Sequence, residues 1–169
     1  MRIFVTGSAD GLGKLAAQML LKAGHEVVVH VRSKSRIDAV KDLNAKVVVG
    51  DLSDLDQARD VAKQVNALGT MDSVIHNAGV YQSSAVMPVN VTAPYLLTAL
   101  MHRPKRLIYM SSGLHRGGHP RLDGIDWSGR KATGSYSDSK LFISAFAAAL
   151  ARLWPDVLSN SVNPGWVPT

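Results

Sequence analysis

Short runs of branched apolar residues alternate along this chain with longer stretches whose apolar positions recur every three or four residues. The short runs are Ile3–Thr6, Val27–Val31, Lys46–Val49, Ser73–His76, Leu107–Met110 and Val157–Val162, and these are the predicted strands. Several are apolar at consecutive positions rather than at every second one, as strands covered on both faces are. The helical period falls between them, at Leu12–Ala23, a short piece near Ile37–Leu43, Leu55–Leu68, Val91–Met101 and Tyr136–Trp154. Gly24 sits where the first helix must stop, and Pro155 ends the last. Alternation of strand and helix predicts right-handed βαβ units. The expected fold is therefore α/β, a single Rossmann-type, doubly wound parallel sheet of about six strands with helices on both faces. Gly113–Gly134 is the exception, glycine-rich and aperiodic, and reads as a loop over one end of the sheet.

Composition narrows this picture. The chain has 169 residues, enough for one domain with a real core, and no linker or repeat divides it. Hydrophobic residues make up 46% and charged residues 19%, an ordinary folded composition. The absence of cysteine excludes disulfides and thiolate metal sites, and a reducing cytoplasm is the expected location. No apolar run approaches the ~20 residues of a membrane span, so no membrane partner is expected. With a strand already at Ile3–Thr6, no signal peptide is expected either. The net charge of +6 raises the question of a polyanionic partner. No basic run or nucleic-acid motif accompanies it, so the expectation is a solvated basic surface and a phosphate-bearing cofactor rather than nucleic acid. His115 and His119 have no further ligands at suitable spacing, and no metal site is expected.

Candidate chemistry begins where the first strand ends. Thr6-Gly7-Ser8-Ala9-Asp10-Gly11-Leu12-Gly13 runs directly into the first predicted helix. Glycines let such a turn approach a pyrophosphate closely, and the helix presents free N–H groups and its positive end to the anion. A strand before and a helix after the turn are the context a dinucleotide site requires. The second strand ends Val29-His30-Val31-Arg32-Ser33-Lys34, with no acidic residue to hold a ribose 2′-hydroxyl. Arg32 can instead grip a 2′-phosphate through parallel hydrogen bonds, so NADP(H) is favoured over NAD(H). The alternative is that Arg32 and Lys34 merely form a solvated turn.

With these residues in hand, the chain resembles the short-chain dehydrogenase/reductase family over essentially its whole length. The glycine turn fits that family's Thr-Gly-x-x-x-Gly-x-Gly pattern. Asp51-Leu52 looks like its adenine-contacting pair, and Asn77-Ala78-Gly79 like its Asn-Ala-Gly signature. Tyr136-Ser137-Asp138-Ser139-Lys140 fits Tyr-x-x-x-Lys, and Pro164-Gly165 the later Pro-Gly, with Val167 and Thr169 just beyond. The similarity is greatest to bacterial carbonyl reductases of the retinol-dehydrogenase and ketoreductase type. The resemblance implies a catalytic set of Asn90, Ser112, Tyr136 and Lys140. It implies cofactor contacts from Gly7, Ser8, Asp10, Gly11, Leu12, Gly13, Arg32, Ser33, Asp51, Leu52, Asn77, Ala78, Gly79, Tyr136, Lys140, Pro164, Gly165, Val167 and Thr169. The implied partner is a small carbonyl or alcohol substrate.

These residue types suit carbonyl reduction, in which hydride goes to carbon and a proton to oxygen. Tyr136 and Lys140 are four apart and share a helix face. A free tyrosine titrates near ~10, and an adjacent ammonium is expected to lower that value. Ser112 would hydrogen-bond the substrate oxygen, and by resemblance Asn90 would hold a water in a proton relay. Two alternatives stay open: Asn90 as a simple helix cap, and Ser111 rather than Ser112 facing the substrate, since adjacent strand residues point opposite ways. The face of Phe142, Phe146, Ala149 and Leu153 reads as core or subunit interface, so a homodimer or homotetramer is expected.

Two departures from the family pattern matter. Relatives are expected to continue past Thr169 with a substrate-covering segment and a last strand, and to carry a longer Asn77–Asn90 connection. Ser83–Val89 reads as lacking a helical lead-in. Residues 1–169 are therefore expected to form one NAD(P)-binding Rossmann domain without its substrate lid, in a molecule that carries further residues; the alternative is an unusually short variant. The alternative from another class is a non-catalytic, dinucleotide-binding redox sensor. A third reading is an NAD-dependent epimerase or dehydratase, whose glycine spacing differs and which wants an acid where Arg32 stands.

Overall fold

The structure, a computed structural model, describes residues 1–167. Its strands are β1 (Arg2–Val5), β2 (Glu26–Val31), β3 (Lys46–Val49), β4 (Ser73–His76), β5 (Arg106–Met110) and β6 (Leu158–Val162). They form one six-stranded sheet in the order β3-β2-β1-β4-β5-β6, every neighbouring pair parallel. The helices are α1 (Gly11–Lys22), α2 (Leu55–Ala67), α3 (Ala93–Leu100) and α4 (Tyr136–Leu153).

Side chains alternate across the sheet. Phe4, Val28, Val48, Val74 and Leu107 join a core with Val61 of α2, Leu97 of α3 and Ile143 of α4. Ile3, Val5, Val27, Val29 and Val31 face the other way, onto Ala17 of α1 and Val40 and Leu43 of the 3-10 run Lys34–Leu43. Helical cover on both sides explains the continuous apolar reading of β1 and β2. Burying side chains of this size contributes about 1.5–3 kcal/mol each. β6, paired only with β5, leaves Leu158 and Val162 exposed.

Helix starts differ in a way that matters for the site. Asp54 caps α2, its Oδ1 accepting from the N–H groups of Asp56 (2.9 Å) and Gln57 (3.2 Å). A capping box opens α4: Ser135 Oγ accepts from the Asp138 N–H (3.0 Å) while Asp138 Oδ2 accepts from the Ser135 N–H (2.8 Å). Asp10 precedes α1 but makes no side-chain cap, so the first N–H groups of α1 remain open to an anion.

The largest departure from the sequence reading is at α3. Helical structure begins at Val86, before Asn90, and passes through a π turn at Pro88–Thr92 before α3. Ser83–Val89, expected to lack a helical lead-in, therefore supplies one. Pro94 has no N–H to give the Asn90 carbonyl, so the regular ladder is interrupted, and the Ala93 N–H reaches back to the Pro88 carbonyl instead. The short helical piece expected near Ile37–Leu43 extends over Lys34–Leu43 as 3-10 structure, and the Gly113–Gly134 loop contains a 3-10 turn at Gly113–Gly117.

Candidate active site and cofactor groove

The glycine turn is fastened from three sides. Thr6 Oγ1 accepts from the N–H groups of Asn77 and Ala78, both at 2.9 Å. Asn77 Nδ2 donates to the carbonyls of Thr6 (2.9 Å) and Gly7 (3.1 Å), which locks the end of β4 to the end of β1. From β2, His30 Nδ1 accepts from the Gly7 N–H (3.0 Å), and its Nε2 donates to the Gly50 carbonyl (2.8 Å). Burial pushes the His30 pKa down, which keeps the ring neutral and the Nδ1 lone pair available to Gly7. At Gly13 an added Cβ would stand 2.1 Å from the Gly7 carbonyl oxygen, so only glycine fits.

Beside this turn lies a groove of about 600 Å³. Of the expected cofactor residues, Gly7, Asp10, Gly11, Leu12, Gly13, Arg32, Asp51, Leu52, Asn77, Ala78 and Gly79 all line it. Ser8 does not: it is buried and its hydroxyl donates to the Val5 carbonyl at 2.6 Å, so it braces the turn rather than facing a ligand. Ser33 also stands outside the lining, its hydroxyl paired with that of Ser35 (2.8 Å). Pro164, Gly165 and Val167 follow β6 and do not reach the groove. Thr169 lies outside the described residues.

Two groove residues escape the sequence reading. Arg36 lines the same end as Arg32, with Nη2 2.5 Å from Asp10 Oδ2. Its signal in the sequence is a second arginine four positions after the first, beyond the end of β2. His30 looked like one more position in an apolar strand.

The expected catalytic residues converge beyond the other end of the groove. The capping box sets Tyr136 as the first residue of α4, and Lys140 follows one turn later. Lys140 is 4% exposed; its ammonium donates to the Met110 carbonyl (2.7 Å) and lies 5.3 Å from the Tyr136 ring centroid. Burial lowers the Lys140 pKa to about 8. Ser112 lies near enough to Tyr136 to oppose in part the rise that burial imposes on its pKa, whereas the buried Ser111 hydroxyl packs inward on Ser144 Oγ at 2.6 Å. Of the two serines, Ser112 is the one beside Tyr136.

Asn90 is not a helix cap. It lies inside the π turn, its Oδ1 accepting from the Val80 N–H (2.8 Å) and its Nδ2 donating to the Val80 carbonyl (2.9 Å) and Ser139 Oγ (3.0 Å). Gly79 sits between: an added Cβ would be 3.5 Å from Asn90 Oδ1 and 3.7 Å from Lys140 Nζ. The expectation for Tyr136 also needs correction. Its pKa is raised, not lowered: burial dominates, Ser112 opposes it, and Tyr81 adds to the rise. The Lys140 ammonium is directed to a backbone carbonyl rather than to the phenol oxygen.

A second cavity of about 460 Å³ contains Tyr136 and shares Ser83 with the groove. On the outer face of α3 and α4, Tyr95 is exposed and its ring contacts Phe146 at 5.6 Å, while Phe142 packs on Trp127 at 5.9 Å. Among the described residues no helix is long and apolar enough to cross a membrane, and no group of three metal-ligating side chains occurs.

Known proteins are similar to this chain in sequence and in fold. The family pattern described as short chain dehydrogenase matches residues 1–113. An uncharacterized oxidoreductase of Emericella nidulans is 42% identical over 187 aligned positions, covering 100% of this chain and 71% of that protein. Those positions outnumber the residues here, so the relative carries internal residues that this chain does not. Retinol dehydrogenase 13 of Homo sapiens is 29% identical over 191 positions, covering 96% of this chain and 58% of that protein. The solved RhlG/NADP active-site complex of Pseudomonas aeruginosa superposes with a TM-score of 0.81 at 23% identity, covering 99% of this chain and 73% of that one.

Proposed function

The chain belongs to the short-chain dehydrogenase family, and from that premise we propose that it is an NADP(H)-dependent carbonyl reductase with Tyr136 as proton donor. One observation carries the reading: a glycine-turned groove has two arginines at one end and leads, past Gly79, to Tyr136, Lys140 and Ser112 at the other. The groove suits a dinucleotide phosphate. Gly13 leaves no room for a side chain, the N-terminus of α1 is uncapped, and Arg32 and Arg36 stand where a 2′-phosphate would be gripped.

When bound, the nicotinamide supplies or accepts the hydride. The protein's residues handle position and proton. The Tyr136 hydroxyl, held protonated at neutral pH, donates to the carbonyl oxygen as negative charge develops there. Ser112 donates a second hydrogen bond to the same oxygen. Lys140, mostly ammonium below pH 8, keeps positive charge beside the phenol as the proton leaves. Asn90 fixes Val80, and with it the strip between groove and second cavity. The exposed Tyr95 beside Phe146 supports pairing of two copies through α3 and α4.

NADPH is expected to bind at least tenfold more tightly than NADH in a fluorescence titration, since a 2′-phosphate gains charge-assisted bonds worth ~1.5–3 kcal/mol each. Tyr136→Phe is expected to abolish turnover of a ketone and aldehyde panel while leaving NADPH affinity within about twofold. Undiminished turnover in that variant removes Tyr136 from the chemistry. Tighter binding of NADH would show that the arginines do not select the cofactor.

A further inference from the structure

The second cavity has an aromatic wall that the reduction chemistry does not use. Tyr81 stands two residues after the Asn77-Ala78-Gly79 segment and is 61% exposed, yet its exposed ring lines a concavity. Its aromatic contact is the ring of Tyr136, at a centroid distance of 4.8 Å and an interplanar angle of 52°. Leu114 and Val86 add apolar carbon to the lining, and the rest besides Tyr136 is alanine, glycine, serine and Gln82. Among the described residues, none that lines this cavity has a charged side chain. A carboxylate or phosphate entering it would lose hydration and meet no charged group in the lining, while the Lys140 ammonium behind Tyr136 is already bonded to the Met110 carbonyl. A flat ring would find the π face of Tyr81 on one side and apolar carbon on the other. Aromatic pairs at such separations, offset or tilted, gain beyond simple burial.

We propose that Tyr81 is a specificity-determining residue, and that the second cavity takes neutral carbonyl compounds with an aromatic ring next to the carbonyl, the ring lying against Tyr81. This rests on the reductase reading and names its substrate class. The tilt of Tyr81 over Tyr136 brings the two requirements together: a ring held by one phenol carries its carbonyl to the hydroxyl of the other. The Asn90 clamp on Val80 fixes the residue immediately before Tyr81, so the wall keeps its position.

The test compares acetophenone with cyclohexyl methyl ketone, two methyl ketones that differ in whether the ring is flat, using NADPH and the full chain. Tyr81→Leu removes the π face and keeps apolar bulk; Tyr81→Phe keeps the ring. Relative to the wild type, Tyr81→Leu is expected to raise KM for acetophenone about five- to tenfold, with kcat and the cyclohexyl ketone changed less than about twofold. Tyr81→Phe should behave as the wild type. Benzoylformate, which adds a carboxylate beside the same carbonyl, should be reduced at least tenfold less efficiently than acetophenone. Equal losses for both ketones, unchanged KM in Tyr81→Leu, or efficient reduction of benzoylformate would each overturn the proposal.

Ligand-observed NMR binding of the two ketones separates this proposal from the reductase reading. Acetophenone bound by the wild type and weakened by Tyr81→Leu, with no NADPH oxidation, would keep the aromatic wall and sink the reductase. Absence of both binding preference and turnover would sink both.

Discussion

At the scale of single residues, the site depends on where one proton sits. Lys140 is buried beside the Met110 carbonyl, and burial brings its pKa down to about 8, while Tyr136 is pushed above its ordinary value. Between about pH 6 and 8, Tyr136 holds the proton that the proposed reduction requires, and Lys140 is mostly charged. Above about pH 8 the ammonium is lost, so the reductive kcat/KM is expected to be flat at first and then to fall as pH rises through that value. Lys140→Arg keeps a charge that does not titrate in this range and should flatten that limb, whatever it does to the absolute rate. A limb unmoved by the substitution would assign it to another group. The Tyr136–Lys140 pair was legible from sequence because helix geometry alone puts four-apart residues on one face. The direction of the Tyr136 shift was not, because it depends on burial beneath Tyr81 and on a carbonyl from a different strand.

At the scale of elements, the start of α4 is where stability and chemistry meet. The Ser135–Asp138 box fixes the first turn, and Tyr136 is its first residue. Ser135→Ala is expected to cost about 1 kcal/mol, which lowers Tm by roughly 2–4 °C in a chain of this size. It should also reduce turnover by misplacing the phenol, and Ser135→Asp should restore both. An unchanged Tm would show that packing of α4 alone sets this helix end. Strand and helix existence were legible throughout, since covered parallel strands and amphipathic helices write distinct periods. The π turn was not. It follows from Pro94 combined with side-chain bonds from Asn90 to Val80 and Ser139, partners that no local pattern reveals. Ser8 misled for the same reason: its place in the glycine motif is right, but its hydroxyl answers to the Val5 carbonyl.

At the scale of the whole molecule, two buried histidines tie folding to acidity. His76 stacks on Tyr109 (4.7 Å, 7°), its Nε2 meets Thr98 Oγ1 at 3.2 Å, and its Nδ1 has no partner among the described residues. Burial lowers its pKa to about 3, and lowers that of His30 as well. Both values lie below that of an unfolded histidine, so the unfolded chain takes up more protons as pH falls below 6.5. The stability present above that value is therefore lost progressively on acidification, at up to about 1.4 kcal/mol per pH unit for each histidine held neutral. The carboxylates with lowered pKa, Glu26, Asp54, Asp72, Asp126 and Asp138, add their share only at more acid pH. Urea midpoints are expected to fall between about pH 7 and pH 5.5, and His76→Phe should reduce that slope. A slope identical in the variant would place the acid sensitivity elsewhere.

The pairing of Ile3 with Ser73 joins two halves of the chain across about seventy residues, and the groove lies at that seam. Since every strand pair is parallel, no neighbour in the sheet forms by a hairpin, and folding must wait for distant segments to meet. During synthesis the glycine turn emerges long before Asn77, the residue that clamps it. The proposed nucleotide site is thus expected to be absent from the nascent first half and to arise with the closure of β1 onto β4. Cofactor capture is then expected late in folding, and a nucleotide added to refolding chains would report when the two halves have joined.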